Sequence, residues 1–159
     1  MRHQMKRTTL FMGLLTILFI APLSAQTANK LEAILKSPTL TWSEAVIFVL
    51  EASEKVVLKD PTEAFKYAMD QKLLPKNVQP GDTVRYKGMA LLLMRSFDQK
   101  GGIFYSIFKS PHYAYRELVQ SEVIRGNTDP AMTVSGQELL LMIGRLLTIR
   151  EQAEQKAVK

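Results

Sequence analysis

Two basic residues, Arg85 and Lys87, stand just after Thr83 at the start of an apolar run. A guanidinium can grip a carboxylate or phosphate through paired N–H donors, and an ammonium adds a compact point charge. At a helix start the free amides and the helix dipole favour the same negative charge. The pair is therefore a candidate anion pocket, set against the plainer reading of two solvated charges on an exposed turn. Trp42 lies at another such start; it can stack on a sugar ring, or it can fill the core between helices. Glu44 and Glu138 each follow a hydroxyl residue, Thr41 and Ser135, by three positions, the spacing of a capping box.

Catalytic chemistry finds little to work with. Beyond the first few residues the chain has one histidine, His112. A catalytic imidazole needs an orienting carboxylate and a nucleophile or water within reach. Glu117 is close in sequence, but Pro111-His112 reads more simply as a helix start. No Gly-x-Ser-x-Gly elbow, phosphate loop or dinucleotide fingerprint occurs. Glu51 and Glu54 fall on the polar side of a helical pattern. The chain has no cysteine, which excludes disulfides, thiolate catalysis and cysteine-based zinc sites. The expectation is a binding protein with no catalytic residues, no metal ligands and no cofactor.

A third candidate is Gly101-Gly102-Ile103-Phe104-Tyr105-Ser106-Ile107-Phe108. Exposed together, Phe104, Tyr105 and Phe108 would form a partner-binding patch; turned inward, they would fill a gap between neighbouring helices.

These residues must be positioned by elements legible from hydrophobic spacing. Residues 1–25 follow the plan of a secretory signal: basic Arg2, Lys6 and Arg7, an apolar run from Leu10 to Ile20, then Pro22 and Ala25 before a cut at Gln26. The apolar run is too short to span a bilayer, which takes roughly 20 residues. The mature chain is thus expected to be exported, periplasmic or envelope-associated, with no integral membrane span. Setting the leader's three basic residues aside leaves 18 basic against 15 acidic, a net of about +3. That excess is too small and too scattered for nucleic acid.

A short leader, 26–38, precedes the domain at 39–154, and a polar tail, 155–159, is expected to fray. Within the domain, amphipathic spacing predicts helices starting at Thr41, after Asp60-Pro61, near Arg85, at Pro111 and at Ser135. With a brief helix at 29–36, the result is an all-α, compact bundle of about six helices joined by turns.

Three of the helix starts look alike: Leu40-Thr41-Trp42-Ser43-Glu44-Ala45, Thr83-Val84-Arg85-Tyr86-Lys87-Gly88 and Val134-Ser135-Gly136-Gln137-Glu138-Leu139. Aligned at 41, 84 and 135, they follow one another by 43 and 51 residues. The stretch Tyr67 to Pro75 likewise parallels Leu118 to Gly126. In this order the segments resemble repeats of the S-layer homology family. The third is the closest match, through His112-Tyr113-Ala114-Tyr115, Val123-Ile124-Arg125-Gly126-Asn127 and Val134-Ser135-Gly136-Gln137-Glu138.

The resemblance covers roughly residues 39–149. It implies a bundle of three pseudo-repeats and attachment to a cell-wall polymer, held in grooves by the Arg of a Thr-Arg-Ala-Glu-like helix start. On that alignment the Arg position holds Trp42, Arg85 and Gly136, and the Glu position holds Glu44, Lys87 and Glu138. The expected ligand set is Arg85, Lys87, Trp42, Glu44 and Glu138. No cargo domain follows the repeats, which favours an adaptor or assembly component. The rival reading is a subunit of a periplasmic protein complex, using Trp42 or residues 101–108 without polymer.

Overall fold

The computed structural model describes residues 29, 31–126 and 128–157. The predicted signal segment, 1–25, lies outside them. The chain divides into two units, Met1–Ile34 and Leu35–Lys159. Residues 31–36 are helical. In the second unit follow α1 (Trp42–Ala52), α2 (Pro61–Asp70), α3 (Tyr86–Ser96), α4 (Ile103–Phe108), α5 (Pro111–Gln120) and α6 (Gly136–Ala157). The fold is all-α, and among the described residues there is no strand.

Local chemistry explains most helix starts. Glu44 Oε2 accepts from the Thr41 amide at 2.9 Å and from its hydroxyl at 2.7 Å. Glu138 Oε2 makes the same pair of bonds with Ser135, both at 2.8 Å. Asp60 accepts from the amides of Thr62 and Glu63, Ser110 from that of Tyr113, and each is followed by proline in the first turn. Helix α6 runs on to Ala157, beyond the fraying expected from Gln155. Its last turns are helix-favouring Glu, Gln, Ala and Lys, and Arg150 pairs with Glu154 along it.

The repeat is shown by its backbone. The Leu40 amide donates to the Val134 carbonyl at 3.0 Å, Val134 to Val84 at 3.0 Å, and Val84 to Leu40 at 2.8 Å. Three residues, each just before a long helix, close a hydrogen-bonded ring, and all three are buried. Two residues beyond each ring residue the amide donates outward in the same way: Trp42 to Asp82, Tyr86 to Met132 and Gly136 to Ser37. A buried amide left unpaired is costly, so each helix start depends on the loop of another segment.

This ring corrects the register. Ring residues 40, 84 and 134 make Arg85, not Val84, the counterpart of Thr41 and Ser135. The counterpart of Trp42 and Gly136 is then Tyr86, and that of Glu44 and Glu138 is Gly88. The second and third repeats consequently align at a constant offset of 50 residues, without a gap, from Pro61/Pro111 through Ala64/Ala114, Asn77/Asn127, Pro80/Pro130 and Thr83/Thr133. The sequence alignment was one residue out because it set Arg85 at the Arg position of the family motif, opposite Trp42 and Gly136. The residue at the cap is Arg85, whose side chain makes no capping bond.

The core lies between paired helices: α1 packs on α2, and α3 on α5. Helix α3 is almost wholly buried, from Tyr86 through Met94, and supplies the centre of the unit. Two arginines tie the turns that precede the long helices. Arg95 donates to the carbonyls of Lys72 and Leu74, and Arg145 to that of Val123 at 2.7 Å. They stand at equivalent places, each 11 residues after its ring valine.

Candidate functional site

The start of α3 places Arg85, Lys87 and Trp42 around one open groove of about 460 Å³, together with Pro75, Asp82 and Gly88. The structure thus brings together three of the five residues expected to hold a ligand. Their states differ from the expectation in informative ways.

Trp42 is 3% exposed. Its indole is part of the core and forms a wall of the groove, so its face is not offered for stacking on a sugar. Gly88 makes this possible: a Cβ there would lie 2.9 Å from Trp42 Cη2 and Cζ2, inside normal carbon contact. The ring edge therefore rests directly on the α3 backbone.

Arg85 is exposed, and its Nη1 donates to the Ala131 carbonyl at 2.5 Å. Lys87 is exposed, and its side chain has no ion-pair or hydrogen-bond partner among the described residues. The backbone amides expected to assist them are spent: Tyr86 donates to Met132 at 3.0 Å, Lys87 to Pro130 at 3.1 Å, and Gly88 and Met89 to Arg85 at 2.9 Å. An anion here cannot draw on those four amides and is met by the side chains of Arg85 and Lys87. Asp82, also on the groove, accepts from the Gln79 amide.

Glu44 and Glu138 do not join the groove. Both are capping carboxylates, occupied by Thr41 and Ser135. Glu138 has a further partner, the Tyr86 hydroxyl. Burial alone would push the Glu138 carboxyl upward, but the bonds from Tyr86 and Ser135 outweigh it and hold the group below its usual value. Tyr86 moves the opposite way: burial and its bond to Glu138 raise the phenol well above the ordinary tyrosine range. The pair links the second repeat to the third and is structural.

The aromatic segment also separates into two parts. It forms α4, a six-residue helix the Gly101-Gly102 pair did not suggest. Phe104 and Phe108 are exposed, stacked on Tyr113 at centroid distances of 5.7 and 5.3 Å. Tyr105 points inward and is 4% exposed, against Arg95. It is a core residue, so the partner patch as first drawn loses Tyr105 and gains Ile103 and Ile107.

His112 is exposed and edge-on to Tyr113 at 5.2 Å. Among the described residues no cluster of three His, Asp or Glu is arranged to hold a metal ion, and no helix is long and apolar enough to cross a membrane.

A second cleft escaped sequence reasoning. Lys55, Lys72, Arg95, Lys100 and Lys109 line it, with Asp98 as the acidic member. Asp98 is already paired with Lys55 at 2.8 Å. These cations come from helix α3, through Arg95, and from four separate connecting stretches, so no local charge run announced them. A usable signal was their position: Lys72 and Lys109 stand at helix ends with left-handed backbone, where cations offset the helix dipole.

Comparison of the chain with protein-family models, with curated proteins and with solved structures returned no significant match.

Proposed function

We propose that this chain is an exported, non-enzymatic envelope protein that holds an anionic wall polymer in the groove at the start of α3. One observation carries the proposal: Arg85 and Lys87 converge on a 460 Å³ groove floored by Gly88 and walled by Trp42. A guanidinium and an ammonium side by side suit the carboxylates or phosphates of a repeating polymer. The resemblance to S-layer homology repeats supports the same reading, and the closed ring of Leu40, Val84 and Val134 is consistent with a three-part repeat. The register limits the inheritance: no arginine occupies the family's Arg position, which holds Trp42, Tyr86 and Gly136, and Arg85 reaches its groove from the cap position. A protein-complex reading loses Trp42 to the core and rests on α4 alone.

The test is co-sedimentation of the full chain with sacculi that retain or lack their secondary glycan. Retention is expected only with the glycan, weakened severalfold by Lys87→Gln and by Arg85→Gln. It should be lost near 1 M salt, where screening shortens to about 3 Å. Equal retention by stripped sacculi, or binding indifferent to salt and to both substitutions, would overturn the proposal.

A further inference from the structure

The two longer periods of the fold are unequal. From Leu40 to Val84 is 44 residues and from Val84 to Val134 is 50. The second and third repeats align without a gap from their proline-started helices onward, so the difference lies upstream. The link between α1 and α2 runs over residues 53–60, whereas that between α3 and α5 runs over 97–110. The extra length is six residues, the length of α4. Helix α4 is thus an addition that the ring and the paired helices do not need.

Its two sides are unlike. Inward, Tyr105 is buried against Arg95, whose Nη2 also donates to the Lys109 carbonyl at 3.0 Å. A Cβ at Gly101 would strike Tyr105 Cδ1 at 2.7 Å, so the approach of the chain is fitted to that ring. Outward, Ile103, Phe104, Ile107 and Phe108 are 76%, 61%, 67% and 59% exposed. They fall at i, i+1, i+4 and i+5, on one face of the helix. The helix is anchored on one side and apolar on the other.

The charge around it has one dominant sign. Lys100 and Lys109 flank α4, and both line the basic cleft beside it with Lys72 and Arg95. The inward face of α4, through Tyr105 and Ser106, is a wall of that same cleft. Helix-end dipoles account for Lys72 and Lys109; they do not account for four large apolar side chains held out in water next to them.

We infer that α4 and the adjoining cleft form an interfacial docking site for an anionic lipid surface, with Ile103, Phe104, Ile107 and Phe108 entering the acyl boundary while Lys72, Lys100 and Lys109 meet the headgroups. Aromatic and aliphatic residues on one face with lysines at the border are the composition of helices that lie in a membrane interface. None of the four lines either of the two clefts described above, and Phe104 and Phe108 stay largely exposed although they stack on Tyr113. A convex apolar face of this kind suits a fluid apolar phase better than a shaped protein partner. The site is separate from the polymer groove, and its test does not depend on that proposal.

The experiment uses the full chain carrying Phe104→Trp and vesicles with brominated acyl chains. Trp42 is buried and serves as an internal reference that bromine should not reach. On vesicles rich in anionic lipid the introduced indole should be quenched, whatever the leader does. Zwitterionic vesicles should quench it far less. Adding Ile107→Asp should weaken this docking by about tenfold or more, from loss of one buried aliphatic side chain. Lys72→Gln and Lys109→Gln should each weaken it about fivefold, the worth of one lysine near an anionic surface. Circular dichroism of each variant separates lost docking from lost fold. A folded chain whose introduced indole is not quenched on anionic vesicles overturns the inference. So does a response of that indole to envelope protein and not to lipid, or quenching equal on zwitterionic lipid and unaffected by Ile107→Asp.

Discussion

Replacing Gly88 by alanine sets two opposed effects against each other within one helix turn. Glycine in a helix costs roughly 0.5–1 kcal/mol relative to alanine, because it has more backbone freedom to lose. On propensity alone the substitution should stabilise α3. The new methyl, however, would lie 2.9 Å from two carbons of the Trp42 ring and 3.6 Å from Pro75 Cγ. The indole is a rigid, buried plate with no flexible end to swing aside, and forcing a methyl into a packed site costs about 1–3 kcal/mol. Gly144 of α6 is the matched control, since a Cβ there meets nothing within 4 Å. Gly144→Ala should therefore show the propensity gain alone. The two variants should differ by roughly 1–3 kcal/mol, which at about 2–4 °C per kcal/mol for a chain of this length separates their melting midpoints by several degrees. Thermal or urea unfolding followed by circular dichroism measures the gap. Trp42 is the sole tryptophan, so its emission reports whether the ring has been displaced. Gly88→Ala melting as high as Gly144→Ala, with unchanged emission, would refute the close-packing argument and with it the account of the groove floor.

Two further outcomes follow from the links between repeats. Glu138 titrates below its usual value, so its contribution to stability is present above 4.5, its ordinary value, and is lost as pH falls through the lower folded value; Glu138→Gln should flatten the acid limb of a stability–pH curve. Tyr86 titrates above its ordinary 10.0, so its contribution is present below that pH and is lost as pH rises past it; Tyr86→Phe should remove that alkaline loss, read by urea midpoints between neutral pH and the alkaline limit. Arg145→Met, which orphans the part-buried Val123 carbonyl, should cost about 1.5–3 kcal/mol in urea unfolding, the range for a hydrogen bond to a charged group.

What was legible in the sequence was local. Thr41 with Glu44 and Ser135 with Glu138 are three residues apart, so their capping bonds follow from spacing without knowledge of the rest of the fold. Pro61 and Pro111 mark helix starts for the same reason. What failed was non-local. The register of the middle repeat is set by Val84 bonding to Leu40 and Val134, and no feature near Val84 reveals partners 44 and 50 residues away. Tyr105 looked like its neighbours Phe104 and Phe108, but it turns inward and is buried beside Arg95. The basic cleft is assembled from helix α3 and from connections scattered between Lys55 and Lys109. The amphipathic pattern that revealed the helices carries no information about which helix ends meet.

The ring gives the three helix starts the same backbone task, so differences among them need another cause. At the third helical position the first and third repeats carry Glu44 and Glu138, and each caps its own helix. The middle repeat carries Gly88 and has no side-chain cap. By local rules this is the worst of the three starts, short of a cap worth about 0.5–2 kcal/mol and burdened with a helical glycine. A carboxylate at this position would extend from a Cβ that already collides with Trp42, and it would set a negative charge beside Arg85 and Lys87 in the same groove. Glycine relieves both conflicts at once: it lets the indole seat against the backbone and leaves the two cations without a competing anion at that position. A scaffold that satisfies its local rules twice and breaks them once has its broken copy where function is to be sought, and here that copy is the floor of the groove proposed to hold the polymer.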